Sequence, residues 1–558
     1  MTRTNSNDMK KKLQIIGCLI VLVAMITGTG CKRQLDDYYV DPDKTTNPSI
    51  EKLFSSILEN NRVRPQYYDM RTMTFLVTGA FAQTSILFNS ENRYQQNMDY
   101  TEKFWNDFYT PSNQSNDPGA YNTGNGIMAQ YRTMQRLFNL LPIDERDNFR
   151  IFMYAGRALL LDQTAQMIDL YGDIPFTEAG SLNVTSTIAN AKFQDQKELY
   201  DTVLTGLKDV SNWLAAATLN TNAAASFATQ DYLLGGSIDK WRRFVNSLRF
   251  RYLMRVSNVP DFEARVKTEL QEILSNPIQY PLIDGAGVGD NYNPANTDVI
   301  LYQYTNYTNT LSAAFTEVSA QAAPDYLLNT VMKPVNDPRI PFMFEKNVVK
   351  VGDVFVPNAE YRAMPNTYGN SQQSDSLKYY AIWDSTIYVY NNKLPGIYMS
   401  APEVNFLKAE AFERWGLSGG TAQGSYELAV RQAIAFIYFL YNTNSTKYEA
   451  LTQPSTATVD AFMQNAAIAY TGTTEEKQEK ILTQKWLHFN ILQSRQAWAE
   501  YRRTKYPKLN VPVAPTVGFE LPPKRLLYPT SEVAYNTSYA DVKAKDTRDT
   551  KVFWDVKE

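Results

Sequence analysis

Hydrophobic residues recur at spacings of three and four along much of this chain, a period typical of helices that bury one face. In the first half the pattern runs through IEKLFSSILENN, NFRIFMYAGRALLLDQTAQMIDLYG, DQKELYDTVLTGLKDVSNWLAA and SIDKWRRFVNSLRFRYLMRVSN. It returns in APEVNFLKAEAFERWG, SYELAVRQAIAFIYFLY and TEEKQEKILTQKWLHFNILQSRQAWAEYRRT. The pattern predicts helices mainly over residues 50–275 and 401–506.

Residues 276–397 have a different character, because Asn, Pro, Gly and Tyr crowd together around short β-like pieces such as DVILYQY and TIYVYNN. We predict a loop-rich part with short strands here. No low-complexity linker divides the chain, so residues 50–558 are predicted to be one domain. Small residues in two of the helices would let partner helices approach closely, as in tetratricopeptide-type pairs. The fold is therefore predicted to be mainly α, a scaffold of helical pairs with irregular loops.

The N-terminal sequence is typical of an exported protein. A basic segment precedes the apolar run Leu13–Ile26, which is shorter than the roughly 20 residues of a membrane-spanning helix. We predict a signal peptide over residues 1–30, cut before Cys31 in a bacterial lipoprotein box. Cys18 would be removed with the signal peptide, so Cys31 would have no disulfide partner and would carry the lipid. Residues 31–49 would then form a tether; a plain secretory signal with an incidental cysteine is the alternative.

The amino-acid composition favours ligand recognition by aromatic side chains over metal or thiol chemistry. The chain has 37 Tyr but one His and two Cys, and its formal net charge is -3. That charge disfavours a nucleic-acid partner, which calls for a basic domain or stripe. The lone His488 has no second histidine for a metal pair, and neither a Gly-rich phosphate loop nor a G-x-S-x-G elbow occurs. We predict a buried His488, no cofactor, no metal and no enzymatic activity; the open alternative is a glycoside hydrolase, which needs only two carboxylates among the 58 acidic residues.

Three carboxylates in QMIDLYGDIPFTEAG, namely Asp169, Asp173 and Glu178, could suggest a catalytic or metal-binding loop. The same stretch has the signals of a helix end, because Gly172 can adopt a left-handed cap and Pro175 prevents the helix from resuming. We therefore predict that Asp169 and Asp173 bond backbone or basic groups around this end.

Arginines are frequent in two of the predicted helices. The apolar residues of DKWRRFVNSLRFRYLMR follow one face, and the arginines are predicted to lie on a solvated or ion-paired face. Those near the end of EYRRTKYP are predicted to interact with the negative end of their own helix. The residues concerned are Arg242, Arg243, Arg249 and Arg251 in the first segment and Arg502 and Arg503 in the second.

Several segments, taken together and in order, resemble the SusD/RagB-like nutrient-binding lipoproteins of Bacteroidetes outer membranes, including the branch described as starch-binding. The matching stretches are MIDLYGDIPFTEA, DKWRRFVNSLRFRYLMRVSN, NDPRIPFMF, YMSAPEVNFLKAEAFERWG, WLHFNILQSRQAWAEYRRTKYPKL and KRLLYPTSEVAYN. They span nearly the whole chain after the signal peptide. No single stretch is specific, but the ordered set is.

The resemblance implies a SusD-like α/α superhelical fold, in which a tetratricopeptide-like half packs against a loop-rich half that carries the ligand face. It also implies a lipid-anchored protein at the outer-membrane surface that delivers an oligomeric nutrient to a SusC-like TonB-dependent transporter. The acidic pair Asp36 and Asp37 is similar to the export signal of such lipoproteins. An oligosaccharide is the favoured cargo. The alternatives are an oligopeptide cargo, a surface glycoside hydrolase and a helical scaffold that binds no small ligand.

Loop aromatics are the candidate ligand contacts, because a sugar ring can lie on a Tyr or Trp face while polar side chains bond its hydroxyls. Two regions qualify, residues 88–105 and 290–309. Trp105 is predicted to be a core residue. The candidate contacts are Arg93, Tyr94, Asn97, Tyr100, Tyr292, Tyr302, Tyr304, Tyr307 and Trp383.

Overall fold

Helices make up most of the secondary structure, as the hydrophobic period predicts. The computed structural model describes residues 48–58, 62–86, 91–109, 126–181, 190–285, 292–303, 311–317 and 320–558. Residues Ile50–Glu558 form one compact unit. The predicted lipidation residue Cys31, the signal peptide and the candidates Tyr304 and Tyr307 lie outside the described residues.

The first half is built from long helices. They are α1 Ile50–Leu58, α2 Met98–Tyr109, α3 Ile127–Leu140, α4 Arg150–Tyr171, α5 Gln196–Ala216, α6 Thr221–Gln230, α7 Ile238–Arg255 and α8 Glu263–Ser275. A π-helical segment, Met70–Thr78, lies between α1 and α2. Helix α5 packs on both α4 and α7, and α1 packs on α3. Gly156 of α4 permits one close approach, because a Cβ there would lie 3.3 Å from Met134 Cε of α3.

The middle part contains short elements, as predicted. Its helices include α9 Leu311–Glu317 and α10 Asn370–Ser376, and π-helical segments lie at Tyr326–Met332 and Ser385–Val389. The strands of the described chain are β1 Ile174–Pro175, β2 Phe193–Gln194, β3 Val299–Leu301, β4 Phe344–Lys346, β5 Val348–Val351, β6 Val354–Pro357, β7 Ala381–Trp383 and β8 Gly396–Met399. They pair antiparallel as β1 with β2, β3 with β8, β4 with β7 and β5 with β6.

Helices return in the last third. They are α11 Ala401–Trp415, α12 Ala422–Thr443, α13 Thr456–Met463, α14 Thr474–Phe489, α15 Ser494–Thr504 and α16 Thr530–Tyr535. Helix α11 packs on α12 and α14. Thr473 and Glu476 form a capping box that begins α14, since each side chain accepts a hydrogen bond from the other's backbone N–H. Among the described residues, no helix combines the length and apolar character needed to cross a membrane.

The end of α4 confirms the structural role predicted for its acids. Asp169 Oδ1 accepts a hydrogen bond from Trp554 Nε1 at 2.8 Å, and Asp173 Oδ2 lies 2.7 Å from Lys545 Nζ. Gly172 follows the helix with φ of 77° and ψ of -123°. The positive φ was expected, but the ψ differs from that of the predicted left-handed helical cap. Glycine adopts this conformation readily because it has no Cβ.

The predictions for the arginines hold only in part, because Arg249 and Arg251 are ion-paired as predicted but are buried between elements. Arg249 and Arg251 are 1% and 3% exposed, and Arg251 forms an ion pair with Glu403 of α11 at 2.6 Å. Arg502 Nε donates to the Trp498 carbonyl of its own helix at 3.5 Å, but its Nη2 also donates to the Asp169 carbonyl in the last turn of α4 at 2.7 Å. These side chains therefore join helices that are distant in sequence.

Candidate functional site

A half-exposed group of aromatic and charged side chains gathers where the first candidate region meets the middle part. Its residues come from four elements: the turn at Tyr67–Asp69, the Met70–Thr78 segment, α2 and the end of α9. The other three elements all pack on the Met70–Thr78 segment. We call it the Arg71 cluster. Its members are Tyr67, Tyr68, Arg71, Tyr100, Lys103 and Glu317.

Arg71 organises this cluster through two partners. Its Nη1 donates to the Tyr100 hydroxyl at 2.8 Å, and its Nε lies 2.9 Å from Glu317 Oε2. The Tyr67 hydroxyl donates to the same Glu317 oxygen. The Arg71 and Glu317 side chains are 25% and 45% exposed, so both can exchange bonds with a bound molecule. The hydrogen bond that Arg71 donates to Tyr100 is the largest contribution that raises the pKa of Arg71.

Tyr68 of the Arg71 cluster is in contact with a lysine side chain. Lys103 Nζ lies 3.8 Å from the centroid of the Tyr68 ring, a distance typical of a cation–π interaction. Burial, followed by the charge of Asp107, raises the pKa of Tyr68 to about 12. The cluster thus combines aromatic rings with hydroxyl, guanidinium and carboxylate groups, which are the groups that recognise a polyhydroxylated ring.

Asn97 and Tyr100 are brought to this cluster by the start of α2. Asn97 Oδ1 accepts hydrogen bonds from the backbone N–H groups of Asp99 and Tyr100 at 3.1 and 3.4 Å. This is the contact of an N-cap residue, and it fixes Tyr100 in the first turn of the helix. Asn97 therefore acts structurally in this conformation, although its side chain is exposed.

Trp105 is 1% exposed, which confirms its predicted place in the core.

Arg93 and Tyr94 belong to a second, smaller feature, which we call the Arg93 groove. Its volume of about 20 Å³ has room for about one water molecule. Arg93 is 7% exposed, and among the described residues its Nε has no hydrogen-bond partner. Burial lowers the pKa of Arg93. The groove is lined by Ala80, Gln83, Ser85, Ile86, Arg93, Tyr94, Pro324, Asp325, Asn366 and Pro512.

Tyr94 contributes its hydroxyl but offers no ring face. Its side chain is 2% exposed, and the hydroxyl donates to the Pro512 carbonyl at 2.8 Å. Gln83, on the opposite wall, has a φ of 53°, which is uncommon outside glycine, and its Nε2 donates to the Asn510 carbonyl at 2.8 Å. The groove therefore offers hydrogen-bonding groups, in contrast to the aromatic faces of the Arg71 cluster.

The second candidate region, residues 290–309, contacts the chain segment that directly precedes Tyr67 of the Arg71 cluster. Arg64 Nε donates to the Tyr302 carbonyl at 3.0 Å, and Gln303 Nε2 donates to the Pro65 carbonyl at 3.0 Å. The Tyr302 ring is 47% exposed. Tyr302 is therefore available to a ligand.

Trp383 requires a correction. It lies in β7 with 0% exposure, and its ring packs against Phe344 and Tyr388 with centroids 4.9 Å away in each case. The sequence could not predict whether Trp383 is buried, because aromatic and apolar residues occur both before and after it in KYYAIWDSTIYVY. A fully buried ring offers no face to a ligand.

Tyr292 is partly buried, and its hydroxyl is anchored to a buried carboxyl group. Its hydroxyl donates to Asp298 Oδ2 at 2.7 Å, and Asp298 Oδ1 accepts from the Ala401 N–H at 3.1 Å. Burial raises the pKa of Asp298 to about 8, although the hydrogen bonds from Tyr292 and Ala401 oppose the shift. The Asp298 carboxyl is therefore protonated at neutral pH.

This protonated carboxyl makes stability depend on pH. In the unfolded chain the group ionises near 3.8, whereas in the folded protein it ionises near 8, so wild-type stability should fall as pH rises between these values. The amide of Asp298→Asn cannot ionise, and the variant should gain thermal stability relative to the wild type over this range. Melting temperatures measured from pH 4 to 8 test this, with the exposed Glu263→Gln as control. A constant difference across that range would contradict the assignment.

The pair most similar to a catalytic arrangement is buried. Ser400 Oγ lies 2.7 Å from His488 Nε2, and the two side chains are 0% and 3% exposed. Burial, with a smaller contribution from Arg339, lowers the pKa of His488 to about 3. The predicted burial of His488 is confirmed, and a substrate cannot reach this pair. Within the described ranges, no group of three or more His, Cys, Asp or Glu side chains is placed to hold a metal ion.

Five members of the Arg71 cluster were not predicted from the sequence, namely Tyr67, Tyr68, Arg71, Lys103 and Glu317. A signal was present in RPQYYDMR, where two tyrosines precede an aspartate and an arginine. It was hidden because this segment lies between predicted helices and outside both candidate regions. Only the packing of α9 on the turn at Tyr67–Asp69 brings Glu317 to Arg71.

Comparisons with known proteins agree with this architecture. The SusD-like family model described as "Starch-binding associating with outer membrane" matches residues 41–529. A search of curated protein sequences found no significant match.

Solved structures share the fold at low sequence identity. A chitin-binding protein superposes with a TM-score of 0.67 and 20% identity, covering 92% of this chain and 100% of its own. A SusD homolog from Bacteroides fragilis NCTC 9343 has a TM-score of 0.67 and 19% identity, with coverages of 91% and 100%. A chitin-binding SusD homolog from Flavobacterium johnsoniae has a TM-score of 0.65 and 20% identity, with coverages of 91% and 99%. The resemblance seen in the sequence is confirmed, and the chain belongs to the SusD-like family.

Proposed function

We propose that this protein is a cell-surface lipoprotein that binds an oligosaccharide at the Arg71 cluster and delivers it to a SusC-like TonB-dependent transporter. Two similar structures are of chitin-binding proteins, and the family description names starch and the outer membrane. The observation that carries the proposal is the Arg71 cluster itself, where half-exposed tyrosines surround an arginine–glutamate pair.

Binding would be reversible, with no covalent bond made or broken. The apolar face of a sugar would stack on a tyrosine ring, and Arg71 and Glu317 would bond its hydroxyl groups. Because Arg71 already bonds Glu317 and Tyr100, and Glu317 also accepts from Tyr67, the cluster is largely preformed. A preformed site costs less conformational entropy on binding.

Arg71→Ala should weaken oligosaccharide binding by about 10- to 100-fold, since a hydrogen bond to a charged group contributes about 1.5–3 kcal/mol. Isothermal titration calorimetry with maltoheptaose and chitohexaose measures the effect. Arg243→Ala is the matched control, because Arg243 is a partly exposed arginine of α7 that pairs with nearby Asp239 and the Leu282 carbonyl. The control should bind as the wild type does.

The same titrations distinguish the rival functions. Binding of a mixed oligopeptide pool without binding of either glycan would contradict the sugar cargo. Release of shorter sugars from the bound glycan, followed by chromatography, would indicate a hydrolase. Equal glycan affinities of the wild type and Arg71→Ala would show that the Arg71 cluster is not the binding site.

A further inference from the structure

Two exposed tyrosine rings pack against each other on a part of the surface outside the Arg71 cluster. Tyr390 and Tyr448 are 48% and 58% exposed, and their ring centroids lie 5.6 Å apart with an interplanar angle of 43°. Among the described residues, no other contact between aromatic rings joins two exposed side chains. Single exposed aromatics are common on protein surfaces, whereas a pair leaves a larger apolar area in water. We call it the tyrosine pair.

The backbone holds the two members of the tyrosine pair in place. Tyr390 follows the π-helical segment Ser385–Val389, and Tyr448 follows α12. Asn444, the residue after α12, donates from Nδ2 to the carbonyls of Thr386 and Tyr390 at 2.9 and 3.4 Å. The Tyr448 N–H donates to Thr386 Oγ1 at 3.2 Å. Two segments distant in sequence are thereby joined, so the pair is largely preformed, and a preformed site costs less conformational entropy on binding.

The side chains of the tyrosine pair keep their hydrogen-bonding capacity. Within the described chain, the hydrogen bonds of Tyr390 and Tyr448 involve their backbone groups, so both hydroxyls can bond a ligand. The charged residues next to Tyr448 are Lys447 and Glu449, both exposed and of opposite sign. Their charges cancel, which favours a neutral ligand. A sugar ring fits this chemistry, because it has an apolar C–H face for an aromatic ring and hydroxyls for the polar groups.

The tyrosine pair has no residue in common with the Arg71 cluster. We infer that it is a second glycan-binding site, which holds neutral sugar residues of a polysaccharide by stacking. This inference rests on the glycan cargo of the proposed function but not on the site proposed there. A long polymer can engage both sites, and attachment at one then raises the effective concentration of sugar at the other.

Removing both rings should weaken the polysaccharide binding that survives in Arg71→Ala. Electrophoresis in native gels that contain soluble starch or glycol chitin measures the dissociation constant from the retardation of each variant. We expect Tyr390→Ala and Tyr448→Ala together to weaken the residual binding of Arg71→Ala about tenfold. Tyr390→Phe and Tyr448→Phe keep the rings and should retain most of this binding. Tyr535→Ala is the matched control, because Tyr535 is an exposed tyrosine of α16, and it should have no effect.

The outcomes separate this inference from the proposed function. Unchanged residual binding after loss of the tyrosine pair would overturn the second site and leave the proposed function intact, as would complete loss of binding in Arg71→Ala. Equal losses in the phenylalanine and alanine variants would overturn stacking.

The reverse result is also informative. Weakened binding in the tyrosine variants, with wild-type binding in Arg71→Ala, would support the second site and contradict the site proposed at the Arg71 cluster. Failure of the wild type to bind either polysaccharide would contradict both proposals. Circular dichroism melts establish that each variant folds.

Discussion

Replacing Glu500 by alanine should destabilise the protein by about 3–5 kcal/mol, the cost of removing one partner from a buried ion pair. Glu500 Oε2 lies 2.5 Å from Lys485 Nζ and 2.6 Å from Arg503 Nη2. Its other oxygen lies 2.9 Å from Arg255 Nη1. All three cations are at most 1% exposed. The truncation would therefore leave three buried positive charges with Asp169 and Glu410 as their remaining carboxylate partners among the described residues.

The network joins parts of the chain that are far apart in sequence. Arg255 ends α7, Lys485 lies in α14 and Arg503 lies in α15, while Glu410 of α11 pairs with Arg503 at 2.7 Å. Loss of Glu500 would weaken the packing of these helices against one another. The expected result is a large drop in the temperature and in the urea concentration of unfolding, or loss of soluble protein.

The effect should also depend on pH. Burial alone would raise the pKa of Glu500, but Arg503, Lys485 and Arg255 hold it well below 4.5. A carboxylate with a lowered folded-state pKa stabilises the protein above its unfolded pKa, and this stabilisation is lost as pH falls below 4.5. The difference between wild type and Glu500→Ala should therefore shrink under acidic conditions.

Two further variants make this test decisive. Glu500→Gln keeps the shape of the side chain and should be destabilised in the same direction, which provides a measurement if the alanine variant does not fold. Glu263→Ala removes an exposed glutamate whose partner is Lys267, one helical turn away, and should melt as the wild type does. A Glu500→Gln protein with wild-type stability at pH 7 would contradict a stabilising role for the network.

Replacing Cys31 by serine should release the protein from the membrane. A diacylglyceryl group and an amide-linked chain on this cysteine would insert more than one acyl chain, and each buried methylene contributes about 0.8 kcal/mol. Serine has no thiol to carry the lipid. We expect the wild type in the membrane fraction and in the detergent phase, and Cys31→Ser in the aqueous phase.

Cys18→Ser provides the matched control, because Cys18 lies within the predicted signal peptide and should be absent from the mature protein. This variant should remain in the membrane fraction and incorporate labelled palmitate as the wild type does. Retention of Cys31→Ser in the membrane after a high-salt wash would contradict lipid anchoring at this residue.

The helical scaffold was predictable because it depends on local periodicity. Apolar spacing predicted α4, α5, α7, α11 and α14. A helix satisfies its backbone hydrogen bonds within one segment, so a short window of sequence carries most of the necessary information.

The candidate site was only partly predictable. Tyr100 and Tyr302 were identified as aromatics in polar segments, and both remain accessible side chains. Tyr94 and Trp383 carried the same signal but are buried. Composition identifies an aromatic, whereas its exposure depends on the residues from distant segments that cover it.

The sequence by itself determined the helical character of the protein, the family resemblance and the structural role of Asp169 and Asp173. Each depends on residues that are close together along the chain or on their order. Tertiary structure alone decided that Arg251, Arg502 and Arg503 are buried, and that Glu317 meets Arg71. The physical reason is that burial of an arginine becomes favourable only when carboxylates or carbonyls from distant helices compensate its lost hydration.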